Sequence, residues 1–329
     1  MQDVLKETTD LFIANKECVK KAFKWENEYM HPLCSLMYTS MHEEINIDRM
    51  KEAETLIKSK TGVLSEFRGS TRVAMMAQMA LSDDMGAYFD AVKSVYDKLN
   101  EKKWFSSEYR IAAAMVIAQS EKDESKYDEL VAKTNELMQK MREHHPWLTG
   151  DDDTGFAALL AVSGLETESV IEEMEKCYQL LKDSKKFSSA NGMQSLSHAL
   201  SLALGGSEEK CNRVISIYEG LKEKKKKYGQ TYELSALGGL ALSDADVSEL
   251  VEQIAEVDDY LKEQKGFGAL GIGSAQRLMY ASMLVLQQYT SKINTIEAVA
   301  LTGVVSIIIA EEAALIAAMT ASMITTSSN

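Results

Sequence analysis

A pattern recurring about every forty residues constrains this chain more than any other feature, because such a period means that one small supersecondary unit is stacked on copies of itself. The stretches Lys98 to Phe105, Leu181 to Phe187, Leu221 to Tyr228 and Leu261 to Phe267 share one plan: a leucine, a basic run, then an aromatic. Met141 to Trp147 fills the gap between the first two. The aromatic landmarks thus fall at Phe105, Trp147, Phe187, Tyr228 and Phe267, with spacings of 42, 40, 41 and 39 residues, and Leu64 lies one further period upstream.

Between landmarks runs a second recurring piece, short, apolar and rich in small residues: Ala74 to Leu81, Ile111 to Ala118, Phe156 to Val162, Leu196 to Leu204, Leu234 to Leu242 and Leu278 to Leu286. We term this helix A. A polar break such as Ser82-Asp83-Asp84, Ser207-Glu208-Glu209 or Ser243-Asp244 follows it and supplies an N-cap and acidic first turn for the next helix. That next helix, B, carries an amphipathic stripe: Val92, Val95, Tyr96 and Leu99; Met174, Cys177, Tyr178 and Leu181; Val214, Ile217, Tyr218 and Leu221. One repeat therefore reads as one helical hairpin. Helix B starts acidic and ends basic, which complements its macrodipole, so the run Lys222 to Lys227 reads as a solvated helix end.

Composition agrees with long helices. Hydrophobic residues make up 45% and charged residues 26%, enough for a large core, and only Pro32 and Pro146 interrupt the chain. The formal net charge of -14 repels phosphate backbones and argues against a nucleic-acid partner. Cys18, Cys34, Cys177 and Cys211 form no C-x-x-C pair, and the opening Met-Gln-Asp-Val-Leu-Lys carries no apolar signal segment. Free thiols in a reducing cytoplasm are expected.

The first 60 residues escape the repeat and read as two helices around Pro32, a cap for the first hairpin. Residues 61–290 then hold five to six hairpins. The stretch from 291 to 329 reads as an apolar helix, Ala-rich between Ile296 and Ile324. Glu297 and the pair Glu311-Glu312 bound an uncharged run of 13 residues, short of the roughly 20 that span a bilayer. Because helices A are nearly charge-free all round, they need cover, and this tail is expected to dock against them within one structural domain.

Enzyme signatures are few. His42-Glu43-Glu44-Ile45-Asn46 approaches the zinc-protease pattern but places Asn where the second imidazole belongs. Gly266, Gly268, Gly271 and Gly273 lie too close together to form a phosphate loop. Two histidines, His144 and His145, precede Asp151, Asp152 and Asp153 by a few residues, and such a set could hold a divalent metal, zinc or manganese with the imidazoles or magnesium through oxygens alone. Dipoles and capping ask for the same residues at those places, and Thr149-x-x-Asp152 has the spacing of a capping box. Gln194 and His198, four apart, share one face of an otherwise apolar helix A, where core hydrogen bonding competes with a binding or proton-transfer role. Arg68 and Arg72, also four apart, could hold an anion or pair with carboxylates of a neighbouring hairpin.

The pieces Phe67-Arg68-Gly69-Ser70-Thr71-Arg72, His145 to Asp153 and Gln194-Ser195-Leu196-Ser197-His198, together with the Ala-rich tail, resemble a bacterial family catalogued as domain of unknown function four thousand and three. The resemblance runs from about Lys24-Trp25-Glu26 to the tail. It implies a cytoplasmic bacterial protein and brings no activity, substrate or catalytic residue.

The sequence thus predicts an all-α fold of stacked hairpins, curved as a solenoid or closed into a toroid. Such arrays present extended surfaces, so the expected function is binding or scaffolding of a protein or peptide. The alternatives are a metal-dependent enzyme using the loop from 144 to 153, and a peripheral membrane protein anchored by residues 296–324. No cofactor is required by the sequence, although a divalent metal fits the second of these readings.

Overall fold

Every regular element among the described residues is helical. The computed structural model describes residues 1–290 apart from 27–29, 70, 102–105, 203–204, 242 and 269–270, and of Thr290 the backbone alone. The expected docking helix of the tail lies outside the described residues. Among the described residues fourteen α-helices form: α1 (Asp3–Ala22), α2 (Met30–Ser40), α3 (Ile47–Lys60), α4 (Arg72–Leu81), α5 (Met85–Asn100), α6 (Glu108–Ser120), α7 (Tyr127–His144), α8 (Thr154–Val162), α9 (Thr167–Ser184), α10 (Ala190–Ser201), α11 (Ser207–Glu223), α12 (Ser235–Ala241), α13 (Val247–Lys262) and α14 (Ser274–Thr290). No strand appears among the described residues, only an isolated bridge between Phe267 and Ile272.

The six apolar runs centre on α4, α6, α8, α10, α12 and α14. All seven residues of α12 are buried, as are Thr154 to Ala161 of α8. The helices between them start where the polar breaks end. The Asp84 carboxylate accepts from the Ala87 N–H to cap α5, and Asp246 accepts from Ser248 and Glu249 to cap α13. Acids in the first turn and Lys in the last turn recur in α9, α11 and α13. Leu99, Leu181, Leu221 and Leu261, which share one position of the period, are at most 2% exposed.

The N-terminal region departs from expectation. Residues 1–60 form three helices where two were expected, and Pro32 lies inside the first turn of α2 instead of between helices. A first turn tolerates proline because its N–H groups have no helical acceptor anyway. The additional boundary falls at residues 41–46, where Asn46 caps α3 by accepting from the Arg49 N–H.

The chain divides into two compact units. One is Leu11–Gly164. Within it α2 packs on α4, α4 on α3 and α5, α6 on α5 and α8, and α7 on α8, while α5 also touches α3 and α7. Phe67 anchors this core with edge-on contacts to Phe89 and Tyr96, at centroid distances of 5.3 and 5.0 Å.

The other unit joins Met1–Asp10 to the described residues from Leu165 onward. Here α9 packs on α10 and α11, α12 on α10, α11 and α14, and α13 on α11 and α14. Small residues set the closest approach: a Cβ on Gly238 of α12 would stand 2.6 Å from the Ala199 Cβ of α10. Asp258 of α13 is buried between two cations, accepting from Arg277 Nε at 2.6 Å and Lys226 Nζ at 2.8 Å, so its charge is compensated on the spot.

Candidate functional site

A cleft of about 410 Å³ opens in the unit Leu11–Gly164, lined by Leu99, Arg110, Asn135, Met138, Gln139, Arg142, Glu143, Asp151 and Thr154. Five of these belong to α7 at positions i, i+3, i+4, i+7 and i+8, which is one continuous face of a helix. Leu99 and Met138 supply the apolar lining and the remaining side chains are polar.

Arg110 organises one wall. It stands in the first turn of α6 and is only 5% exposed. One guanidinium nitrogen donates to Asn100 Oδ1 at 2.6 Å and another to Asp151 Oδ2 at 2.7 Å. The Asn100 amide is itself held, donating to the Tyr96 carbonyl at 2.8 Å at the end of α5. A cation buried this deeply in the first helical turn works against the macrodipole, and the Asp151 carboxylate offsets that cost.

Opposite stand the α7 side chains. Asn135 Nδ2 donates to the Val131 carbonyl at 3.0 Å, and Gln139 Nε2 donates to Glu143 Oε1 at 2.9 Å. With both amide nitrogens engaged, the two carboxamide oxygens are left as the acceptor ends. Arg142 is exposed on the rim, and among the described residues no carboxylate pairs with it within ion-pair distance. The cleft thus combines an exposed cation, two carboxamides and a buried arginine bonded to Asn100 and Asp151 beside an apolar lining, a set suited to gripping a polar chain with an anionic group.

The loop singled out from sequence borders this cleft but does not converge on a point. Asp151 turns to Arg110, and Asp152 is exposed. Asp153 is buried and accepts from the Gly150 N–H at 2.9 Å, so the capping pair is Gly150 with Asp153, one residue later than the expected Thr149 and Asp152. Burial, with the Asp152 charge adding to it, pushes the Asp153 carboxyl up to about 7 against the opposing pull of the Gly150 N–H and Arg142. Nearby Tyr109 is pushed up to about 12 by burial and then by the charges of Asp152 and Asp151. His144 ends α7 and is exposed, while His145 is half-buried and its N–H caps the helix by donating to the Met141 carbonyl. Among the described residues no group of three His, Cys, Asp or Glu side chains has metal-binding geometry.

The other candidates lie apart from the cleft. Arg68 donates from Nε to Thr61 Oγ1 at 3.1 Å and from Nη2 to the Lys58 and Thr61 carbonyls at 2.5 Å, closing the C-terminal end of α3. Arg72 forms an ion pair with Glu26. Gln194 and His198 do share a face of α10, and both are fully enclosed where α9 and α12 pack against it. Sequence reasoning overlooked Arg110, Asn135, Gln139 and Arg142. The available signal was Arg110 itself, a cation at the dipole-unfavourable start of an apolar helix.

No solved structure matches this chain. An uncharacterized protein of Bacillus subtilis (strain 168), YeaA, is 23% identical over 327 residues, covering 97% of this chain and 95% of that protein. Because the family described as "Protein of unknown function (DUF4003)" matches residues 15–313, nine-tenths of the chain, the protein belongs to that family.

Proposed function

We propose that this chain is an array of helical hairpins that binds a protein or peptide partner, with the Arg110–Arg142 cleft receiving an extended segment that bears an acidic side chain. The alternation of longer amphipathic and shorter apolar helices from α3 to α13 supports the array, as with α9, which exposes one face, and α12, which is enclosed. The observation that carries the binding reading is the arrangement across the cleft: the α7 carboxamide oxygens of Asn135 and Gln139 suit the N–H groups of a peptide backbone, and the exposed Arg142 guanidinium suits a carboxylate.

A displayed random-peptide library panned on the purified protein, with counter-selection on R142E, tests this. Enrichment of peptides with a recurring Asp or Glu, whose Kd rises at least tenfold on R142E, is the expected result. Peptides that bind both proteins equally, or no enrichment over scrambled sequences, would defeat the reading.

A further inference from the structure

Four connections of the unit Leu11–Gly164 share a role: each leads from a long helix into a short apolar one, after α1, α3, α5 and α7. Side-chain links join each to the next. Glu26, after α1, pairs with Arg72 at the start of α4. Glu66, after α3, accepts from Ser106 Oγ at 2.5 Å after α5, and Glu108 accepts from the Thr71 N–H at 2.8 Å. Arg110 then reaches Asp151, after α7, at 2.7 Å. The described residues of the four connections are therefore linked in series along one edge.

Among the described residues, that edge carries the most exposed large apolar side chains of the unit. Trp25 is 89% exposed, Val63 81%, Leu64 98% and Trp147 97%. Side chains this bare pack against little besides the Lys24 stem over Trp25, so they protrude as tips and do not form one packed patch. A protein partner is matched by a contiguous, partly packed apolar surface, whereas a lipid interface accepts isolated tips and favours tryptophan among them.

Cations flank the tips. Lys20 and Lys21 end α1, Lys24 lies over the Trp25 ring at 4.9 Å, and Arg142 and His144 end α7; Lys58 and Lys60, which end α3, are already paired with Glu54 and Asp90. Of the nearby acids, Glu26 and Asp151 are held in the ion pairs just described and Glu66 in a hydrogen bond. Glu143 and Asp152 remain exposed beside Trp147, which keeps the edge short of a polybasic patch. The tips must then supply depth and the lysines orientation, the balance of a reversible interfacial contact.

We propose that this edge docks on an anionic phospholipid surface, inserting Trp25, Leu64 and Trp147 at headgroup level. The edge shares Arg110, Arg142 and Asp151 with the peptide cleft, but the residues it inserts lie outside the cleft lining and it does not involve residues 291–329.

Vesicles of phosphatidylcholine, with and without phosphatidylglycerol, test it on the full chain. The chain has three tryptophans, so in a W104F background only Trp25 and Trp147 report. Expected are co-sedimentation with the anionic vesicles, a blue shift of tryptophan emission, quenching by brominated lipid, and at least tenfold weaker binding for W25A/L64S/W147A at unchanged thermal stability. Absence of binding to either vesicle would overturn the proposal, as would binding that the triple substitution leaves unchanged. Concentration-dependent self-association without lipid, abolished by the triple substitution, would assign the tips to a second copy of the chain and also overturn it.

Discussion

The Tyr260 hydroxyl donates a hydrogen bond of 2.6 Å to the Asp10 carboxylate, across 250 positions of sequence. Asp10 also accepts from Lys6 Nζ at 2.6 Å, Gln288 Nε2 donates to Thr8 Oγ1 at 3.2 Å, and the α-amino group of Met1 lies 2.9 Å from Glu256. Burial would raise the Asp10 carboxyl, but the Lys6 and Tyr260 hydrogen bonds outweigh it and hold it below the usual range. Residues 1–10 are thereby fastened to α13 and α14, with Leu5 and Thr9 buried beneath. Y260F should lower stability by about 1 kcal/mol or less, the value of one partly solvated hydrogen bond. Deletion of residues 1–10 should cost ~3 kcal/mol, because the Leu5 contact is lost as well. Urea denaturation of both variants checks the order, and a deletion no more harmful than Y260F would contradict it.

The shared leucine position makes a second prediction. L99A, L181A, L221A and L261A each remove a side chain at most 2% exposed and should each cost about 2 to 5 kcal/mol. The four values should cluster. A variant destabilised by less than about 1 kcal/mol would show that its position does not share the packing of the others.

Between α9 and α11, buried Lys210 pairs with Glu173 at 2.6 Å and donates to the Leu200 carbonyl at 3.0 Å. Burial would raise the Glu173 carboxyl, yet the Lys210 and Ser207 hydrogen bonds hold it below its ordinary value. A folded-state value below the unfolded one stabilises the protein above the ordinary carboxylate pKa, and that contribution fades as the pH falls through the folded value. K210M should therefore cost about 2–3 kcal/mol at neutral pH and flatten the acid limb of the stability profile. Chemical denaturation of both proteins from neutral to acid pH provides the measurement, and an acid limb of unchanged steepness would count against the pair.

Asp153 has the opposite sign. Its folded-state value of about 7 exceeds the ordinary carboxylate value, so the native state holds the proton more tightly. The stabilisation is complete below the unfolded value near pH 4 and is lost as the pH rises through about 7, a change on the order of 4 kcal/mol. The Asp152 charge adds to the rise and Arg142 opposes it. D153N keeps an acceptor for the Gly150 N–H and cannot ionise, so it should be relatively more stable than the parent at pH 8 than at pH 5. Equal differences at the two pH values would sink this account.

Much of the local structure was legible along the chain. The apolar runs mark enclosed helices because a helix without charge on any face has nowhere to go but inside. Asp84 and Asp246 mark helix starts because a short carboxylate satisfies orphan N–H groups within its own turn. The placement of Gln194 and His198 on one face of α10 followed from their spacing, since the helical period alone decides it. In the N-terminal region the period was absent, and the sequence reading missed a helix boundary at residues 41–46 and mistook a first-turn proline for a break.

What that face meets was decided elsewhere. The helices packed around α10 leave His198 without exposure, and no local pattern contains that information. The loop of His144, His145 and the three aspartates looked like a ligand set because its members are near in sequence, but Asp151 is claimed by Arg110, 41 residues earlier, and Asp153 by the backbone of Gly150. The cleft, the linked edge and the Tyr260–Asp10 bond all join residues from separate helices. Periodicity and capping are governed by interactions within a few residues and so are determined by sequence alone. Partner choice for charged side chains is governed by which helices become neighbours, and only the tertiary structure decides that.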